Sequence, residues 1–423
     1  MRTAVKRRSS ALRRFSHATL ALFGALALTW TGVGTARADL VPPAPQSDPF
    51  YQPPADFVDT APGTVLRSRP VEVTLPVPAS AWQLLYRTTD VDGRPDATVT
   101  TVLLPKDARE NRPLVADQAY ENSSGPTCVT SYQLRLPNTP ANAAAMQIPD
   151  ITEELQRGWA VSVADFEGRQ GHFAVAREPG YMILDGIRAA EHFAPLGLNE
   201  HTRVGLFGNS GGGLATGWAA QMQPQYAPEI NLAGVAMGSP VPQPALAVEN
   251  TNGTVSSGLA GAVLASLADA YPDFGAAVRA HMSPEGVGAL DTLRSQCLIL
   301  NNFRYMFTDW QRYLNLPMDQ FFALPEVARV LDDITLGTPA PTAPLYLYQG
   351  MRDEVVPVAT TDRLVEQYCT AGTPVTYLHD LGADHYSIGD RGRIPSDNWL
   401  AGRLDSDAPA PTGCSTTDVA QLS

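Results

Sequence analysis

The chain has 423 residues, 44% of them hydrophobic and 17% charged, with 30 basic side chains against 43 acidic ones. The apolar content excludes a disordered chain and allows one large domain or two to three ordinary ones. The acidic excess disfavours nucleic acid and anionic surfaces as partners.

Residues 1–38 read as an export signal. Arg2, Lys6, Arg7, Arg8, Arg13 and Arg14 precede an apolar run from Ala18 to Trp30, and Ala36-Arg37-Ala38 puts small residues at the cleavage positions. The run is about a dozen residues long, where a spanning helix needs roughly twenty. The expectation is cleavage before Asp39 and a secreted bacterial protein without stable membrane insertion. The pair Arg13-Arg14 leaves both the general and the twin-arginine export routes open. The leader carries seven of the basic residues and none of the acidic ones, so the mature chain has a net charge of about −20.

After a Pro-rich stretch from Val41 to Pro54, β-branched runs predict strands at Val71–Leu75, Trp82–Thr89, Thr98–Leu104 and Leu114–Tyr120. Further strands are predicted at Ala160–Asp165, Val204–Phe207, Leu232–Met237, Leu345–Gln349 and Val375–His379. Apolar spacing of three and four residues predicts helices at Ile151–Arg157, Tyr181–Phe193, Gly212–Met222, Thr360–Tyr368 and Ser396–Leu404. This alternation implies an α/β fold with a mostly parallel sheet covered on both faces, and an antiparallel edge at its start. Between residues 241 and 336 the strands give way to helical segments at Thr254–Ala270, Phe274–His281, Glu285–Leu314 and Met318–Ile334. The organisation expected is a core from 39 to 240, an inserted helical cap from 241 to 336, and the rest of the core from 337 to 423. The apolar side chains of the insertion, among them Leu259, Val263, Phe303, Phe307 and Trp310, fit either simple helix packing or an acyl-binding lid.

Arg203 to Ala215 reads RVGLFGNSGGGLA, a G-x-S-x-G turn at Gly208 to Gly212 between a predicted strand and a predicted helix. In that context Ser210 is a candidate nucleophile. A serine hydroxyl is a poor nucleophile until a histidine takes its proton and an acid orients that histidine. On this scaffold both follow in chain order at strand ends. Asp353 stands just past Leu345–Gln349, with Glu354 as the less favoured neighbour. His385 stands in the loop expected after Val375–His379 and is preferred over His379, within the strand, and His281, in the insertion. The oxyanion of an acyl intermediate needs two donors. Gly211 supplies one through its backbone N–H, and the segment Glu121 to Gly125 after the strand at Leu114 suits the other or is an ordinary polar turn. Asp165 and Glu167 are too close in sequence to face each other as a glycosidase pair, and read as structural.

Cys128, Cys297, Cys369 and Cys414 allow three disulfide pairings, and none lies in a CxxC or Cys/His cluster, so neither a metal nor a cofactor is implied.

Four blocks together resemble the secretory lipase family, the group of Candida lipase A within the α/β-hydrolases. They are Gln118-Ala119-Tyr120-Glu121-Asn122; Ala164 to Gly168 with Gly180 to Arg188; the Ser210 turn; and Asp353-Glu354-Val355-Val356-Pro357 with His385. The resemblance implies an α/β-hydrolase fold with a helical cap and cofactor-free hydrolysis of carboxylic esters, acylglycerols included, with an ester or lipid as the partner and a lipid–water interface as one place of action. It carries the triad onto Ser210, Asp353 and His385, the oxyanion donors onto Gly211 and Asn122, and disulfides onto Cys128 with Cys297 and Cys369 with Cys414. Two positions depart from the family pattern: Asn122 replaces a usual acidic residue, and Asn209 a common tyrosine. An acyltransferase using the same acyl-enzyme, and a non-catalytic binding protein on the same fold, are the alternative functions.

Overall fold

The structure is a computed structural model that describes residues 41–423; the expected export signal lies outside them. Strands β1 (Val65–Val71), β2 (Ala79–Thr89) and β3 (Pro95–Pro105) form an antiparallel meander. Next come β4 (Leu114–Gln118), a one-turn helix α1 (Thr130–Gln133), α2 (Ile148–Gln156), β5 (Ala160–Ala164), α3 (Glu178–Glu191), β6 (Val204–Asn209), α4 (Gly211–Tyr226) and β7 (Leu232–Gly238). Seven helices then intervene: α5 (Pro244–Thr251), α6 (Ser257–Ala270), α7 (Pro272–His281), α8 (Pro284–Leu293), α9 (Leu298–Tyr305), α10 (Met318–Phe322) and α11 (Pro325–Asp333). The core resumes with β8 (Leu345–Gly350), α12 (Val358–Thr370), β9 (Val375–Asp380), α13 (His385–Leu404) and β10 (Cys414–Val419). The strands make one sheet in the order β1-β2-β3-β5-β4-β6-β7-β8-β9-β10, parallel from β5 to β10.

Alternation along the strands decides which helix covers which face. Leu345 and Leu347 of β8 join a core with Leu364 and Tyr368 of α12 and with α3 and α4, whereas Tyr346 and Tyr348 join Ile388 and Leu400 of α13 on the other face. The same split separates Leu206 from Phe207 and Leu114 from Val115. Both faces of the inner strands are buried, so β5, β6, β7 and β8 read as mostly apolar runs rather than half polar ones.

Three sequence expectations change. The strand expected at Val71–Leu75 is shifted to β1, which ends at Val71, and the polar edge strand β10 was not expected. The long helix expected from Glu285 to Leu314 is broken at Arg294–Cys297 and again at Met306–Phe307, where Phe307 takes a φ of 59°. That from Met318 to Ile334 is interrupted at Pro325, whose ring cannot continue a helix but suits its first turn. Disulfides join Cys128 to Cys297, from the loop after β4 to the start of α9, and Cys369 to Cys414, from α12 to β10.

On the α13 face four acids meet: Asp117 of β4, Asp150 and Glu154 of α2, and Asp397 of α13, all buried. Gln147 donates to both Asp117 oxygens at 2.7 and 2.8 Å, and Arg393 approaches Asp150 at 3.6 Å. Burial pushes Asp117 up to about 8 and Asp397 to about 7, and raises Asp150 and Glu154 well above the carboxylate range, with Asp117 and Asp397 adding to the rise at Asp150 and Glu154. The unfolded chain titrates these groups near 4. Between that value and about 8 the folded state therefore holds more protons, so stability present at low pH is lost as pH rises, by about 1.4 kcal/mol per pH unit for each proton of difference. Asp380, whose pKa is lowered by hydrogen bonds and Arg391, has the opposite slope only below this window. Thermal melting at pH 5.5 and 8.5 checks the sign: Tm is expected to be several degrees lower at pH 8.5, and Asp117→Asn is expected to flatten the slope. A Tm that rises across this interval contradicts the assignment.

Candidate active site

β6 passes into α4 through a single residue, Ser210. Ser210 has φ 57° and ψ −120°, a region that costs about 1–3 kcal/mol for a non-glycine residue. Strand and helix come so close that a Cβ at Gly208 would stand 2.4 Å from the Gly212 carbonyl oxygen, and one at Gly212 would stand 2.1 Å from that of Gln118. Glycine at these two positions is a steric requirement. The turn lifts the Ser210 side chain off the end of the sheet and leaves it 7% exposed.

Two further strand ends meet it. His385 Nε2 accepts from Ser210 Oγ at 2.8 Å, and His385 Nδ1–H donates to Asp353 at 3.0 and 2.9 Å to its two oxygens. The sequence reading put His385 in a loop; it is the first residue of α13, held by a capping box between Asp384 and Ser387. Asp353 follows β8 and accepts from the Val355 and Val356 N–H groups at 2.9 and 2.7 Å. With the carboxylate fixing Nδ1–H, Nε2 is left as the acceptor facing the hydroxyl, the arrangement required for proton transfer from serine. His379 instead bonds Asp418 and Asp362, and His281 bonds Asn315.

Sequence reasoning missed three residues here. Gln349 Nε2 donates to Asp353 Oδ2 at 2.8 Å, while its Oε1 accepts from Thr361 Oγ1 at 3.0 Å. Their signal was only position, a glutamine at the buried end of β8 and a threonine facing it from α12. Glu354, considered only as a rival acid, accepts from the His385 N–H at 3.1 Å.

Gly211 and Asn122 face each other beside Ser210 and line one apolar cavity of about 30 Å³, closed by Leu214, Val248, Leu259 and Val263. Asn209 is buried on the α13 side, close to Gly389, and is not part of this cavity wall. The loop carrying Asn122 is held from below by acids. Glu121 accepts from the N–H groups of Thr130 and Glu167, Glu167 from that of Ser123, and Asp165 from the Ser131 N–H and hydroxyl. Burial pushes Glu121 up to about 8 and Asp165 to about 7, and Glu167 is raised well above its usual range by burial and by Glu121. Asp165 and Glu167 thus tie loops together and do not face a cavity as a pair. No group of three or more His, Cys, Asp or Glu among the described residues is arranged to hold a metal.

The sequence profile of the family described as Secretory lipase matches residues 137–411. A protein of Mycobacterium tuberculosis named as a probable inactive lipase is 38% identical over 370 residues, 86% of this chain and 83% of its own. A secreted triacylglycerol lipase of Malassezia globosa is 33% identical over 88% of this chain and 83% of its own. Among solved structures, Candida antarctica lipase A in its closed state superposes with a TM-score of 0.83 at 28% identity, covering 88% of this chain and 89% of its own.

The Gln349 bond to Asp353 is expected to matter through His385. Replacing Gln349 by Leu removes a donor from a buried carboxylate, and the rate of any reaction requiring the Asp353–His385 pair is expected to fall about ten- to a hundredfold. Its pH–rate profile should shift with it, and a variant with wild-type rate and profile would show that the two N–H groups of residues 355 and 356 suffice.

Proposed function

The chain belongs to the secretory lipase family, and on that premise we propose that it is a secreted serine hydrolase of carboxylic esters. The observation that carries this is the continuous chain of hydrogen bonds from Asp353 through His385 to the buried hydroxyl of Ser210. In this reading Ser210 attacks the acyl carbonyl and His385 takes the proton and returns it to the leaving alcohol. Asp353 holds the imidazole, and Gly211 and Asn122 stabilise the oxyanion. Water then releases the acid from the acyl-enzyme. The helices from 241 to 336 act as the cap, and the apolar cavity under α5 and α6 receives the acyl chain.

The M. tuberculosis relative keeps the non-catalytic reading in view. Against it, a binding protein has no need of a hydroxyl held 2.8 Å from a histidine that is itself paired to a buried carboxylate. An acyltransferase would use the same residues and is separated by products, since it forms ester with an alcohol acceptor in dilute solution.

A lipid–water interface suits the rim of the cap. Phe303 and Phe307 are 76% and 66% exposed, Leu300 and Val255 lie half out, and Phe307 N–H bonds the Thr254 carbonyl, which brings these side chains to one edge. Tyr386, next to His385, bonds Ser256 at that edge through its hydroxyl at 2.6 Å. No helix among the described residues is long and apolar enough to cross a membrane. An apolar rim on a strongly acidic protein favours an uncharged ester surface over an anionic one.

Initial rates on p-nitrophenyl esters from acetate to palmitate, with the chain from Asp39, test the hydrolase reading. Ser210→Ala is expected to lower every rate by about four orders of magnitude or more. Absence of turnover at any chain length in a folded wild type would leave the binding or transferase reading. For the rim, the double variant Phe303→Ser, Phe307→Ser is expected to lose most of its rate on emulsified ester while retaining that on soluble butyrate. Equal losses on both substrates would remove the interfacial role.

A further inference from the structure

The segment between β5 and α3 holds two residues in backbone conformations that a side chain disfavours. Ala174 has φ 61° and Arg177 φ 60°. Arg177, with ψ −34°, is the middle of a three-residue turn closed by the Glu178 N–H on the Ala176 carbonyl at 2.6 Å, the hand of this turn that is rare and strained. Such conformations persist only where the surroundings hold them. His172 to Ala176 are all buried, and Phe173 and Ala174 line the cavity beside Ser210. The strain therefore sits directly behind one wall of that cavity.

Two sets of bonds hold the segment. Within it, His172 Nδ1 and Glu178 Oε2 are hydrogen-bonded at 2.7 Å, which closes the loop on itself. From outside, Asp333, the last residue of α11, accepts from both terminal nitrogens of Arg177 at 2.7 and 2.8 Å, one to each oxygen. The Tyr271 hydroxyl, between α6 and α7, accepts from the Ala176 N–H at 3.2 Å and points its own hydrogen to Asp333 at 3.5 Å. The first bond sets the width of the loop; the others set where it stands against the helical insertion.

Resting on the hydrolase reading above, in which the cavity receives the acyl chain, we infer that Asp333 and Tyr271 position the Phe173–Ala174 wall through Arg177 and so limit the chain length accepted. Arg177, Tyr271 and Asp333 do not themselves line the cavity, and they act as positioning residues. While the clasp is made, the loop keeps its strained turn and the cavity its volume of about 30 Å³. In a variant without it the turn relaxes, the wall draws back and a longer chain fits. Arg177 and Asp333 are 42% and 31% exposed, so replacing one strands no charge in the core.

The test compares wild type, Asp333→Ala and the reversed pair Arg177→Asp with Asp333→Arg, using kcat/KM on p-nitrophenyl butyrate and laurate in monomeric solution. Asp333→Ala is expected to raise the laurate-to-butyrate ratio about five- to tenfold, the low end of what one methylene of fit is worth in an apolar pocket, with butyrate itself within about twofold. The reversed pair is expected to bring the ratio back toward wild type. A general loss of packing would instead lower both rates and leave the ratio alone. Calorimetric binding of laurate to Ser210→Ala, with and without Asp333→Ala, reads the same wall without turnover, so the hydrolase reading can fail alone. Laurate is expected to bind more tightly once Asp333 is replaced. An unchanged ester ratio in Asp333→Ala would overturn the inference. So would equal laurate affinities in the two Ser210→Ala proteins, undetectable binding in both included.

Discussion

The left-handed backbone at Ser210 persists because β6 and α4 are clamped together on either side of it, and the clamp fixes much else in the molecule. Gly208 and Gly212 let the strand, the helix and the end of β4 approach within contact of one another's backbones. A methyl at either position would push apart the elements whose closeness forces the turn. The turn in turn aims the first N–H groups of α4 and the serine hydroxyl at the same space above the sheet. The parallel order β4-β6-β7-β8-β9 then brings the ends of β8 and β9, with Asp353 and His385 beyond them, to that side. A parallel sheet collects the chain segments that follow its strands at one edge, so three residues 175 positions apart at the extreme meet without any special long-range device.

What the sequence made legible follows from the same physics. Strands buried on both faces read as short apolar runs, and β4 to β9 were recognisable for that reason, as was the G-x-S-x-G turn, whose glycines are imposed by contact. Elements at the margins lacked that signal. β10 is Cys-Ser-Thr-Thr-Asp-Val, polar and mostly exposed because it pairs on one edge only, and nothing in its composition distinguishes it from a loop. Helix breaks in the insertion were hidden because apolar spacing continues across Met306 and Phe307, while the backbone there is set by what the segment packs on. Gln349 and Thr361 were silent for a different reason: their role is a hydrogen bond between two chain segments, and no spacing rule links residues across a sheet and a helix.

The acids near the loop of Asn122 are the least readable part and among the most instructive. Asp165 and Glu167 as a sequence pair suggest chemistry, yet they and Glu121 are spent on backbone N–H groups of residues 123, 130, 131 and 167. A loop cannot be buried with its amides unpaired, and carboxyls satisfy several at once. The cost is burial of the carboxyls, visible in their raised pKa values. The loop of Asn122 is thereby held in the core by several buried hydrogen bonds.

Rigidity at that loop also limits how the helical insertion can behave. Cys128, six residues beyond Asn122, is bonded to Cys297 at the start of α9, so the insertion is tied at that point to the segment that lines the cavity. Displacement of α9 at its Cys297 end would pull on Cys128 and the hydrogen bonds of Thr130 and Ser131 to Glu121 and Asp165. The exposed Phe303 and Phe307 lie beyond that anchor, and α5 and α6 wall the cavity from the other direction, where the ties to the core are side-chain packing and the hydrogen bonds of Asn250 and Ser256 rather than a disulfide. Any enlargement of the cavity of about 30 Å³ beside Ser210 therefore falls to α5 and α6, while the loop of Asn122 stays anchored.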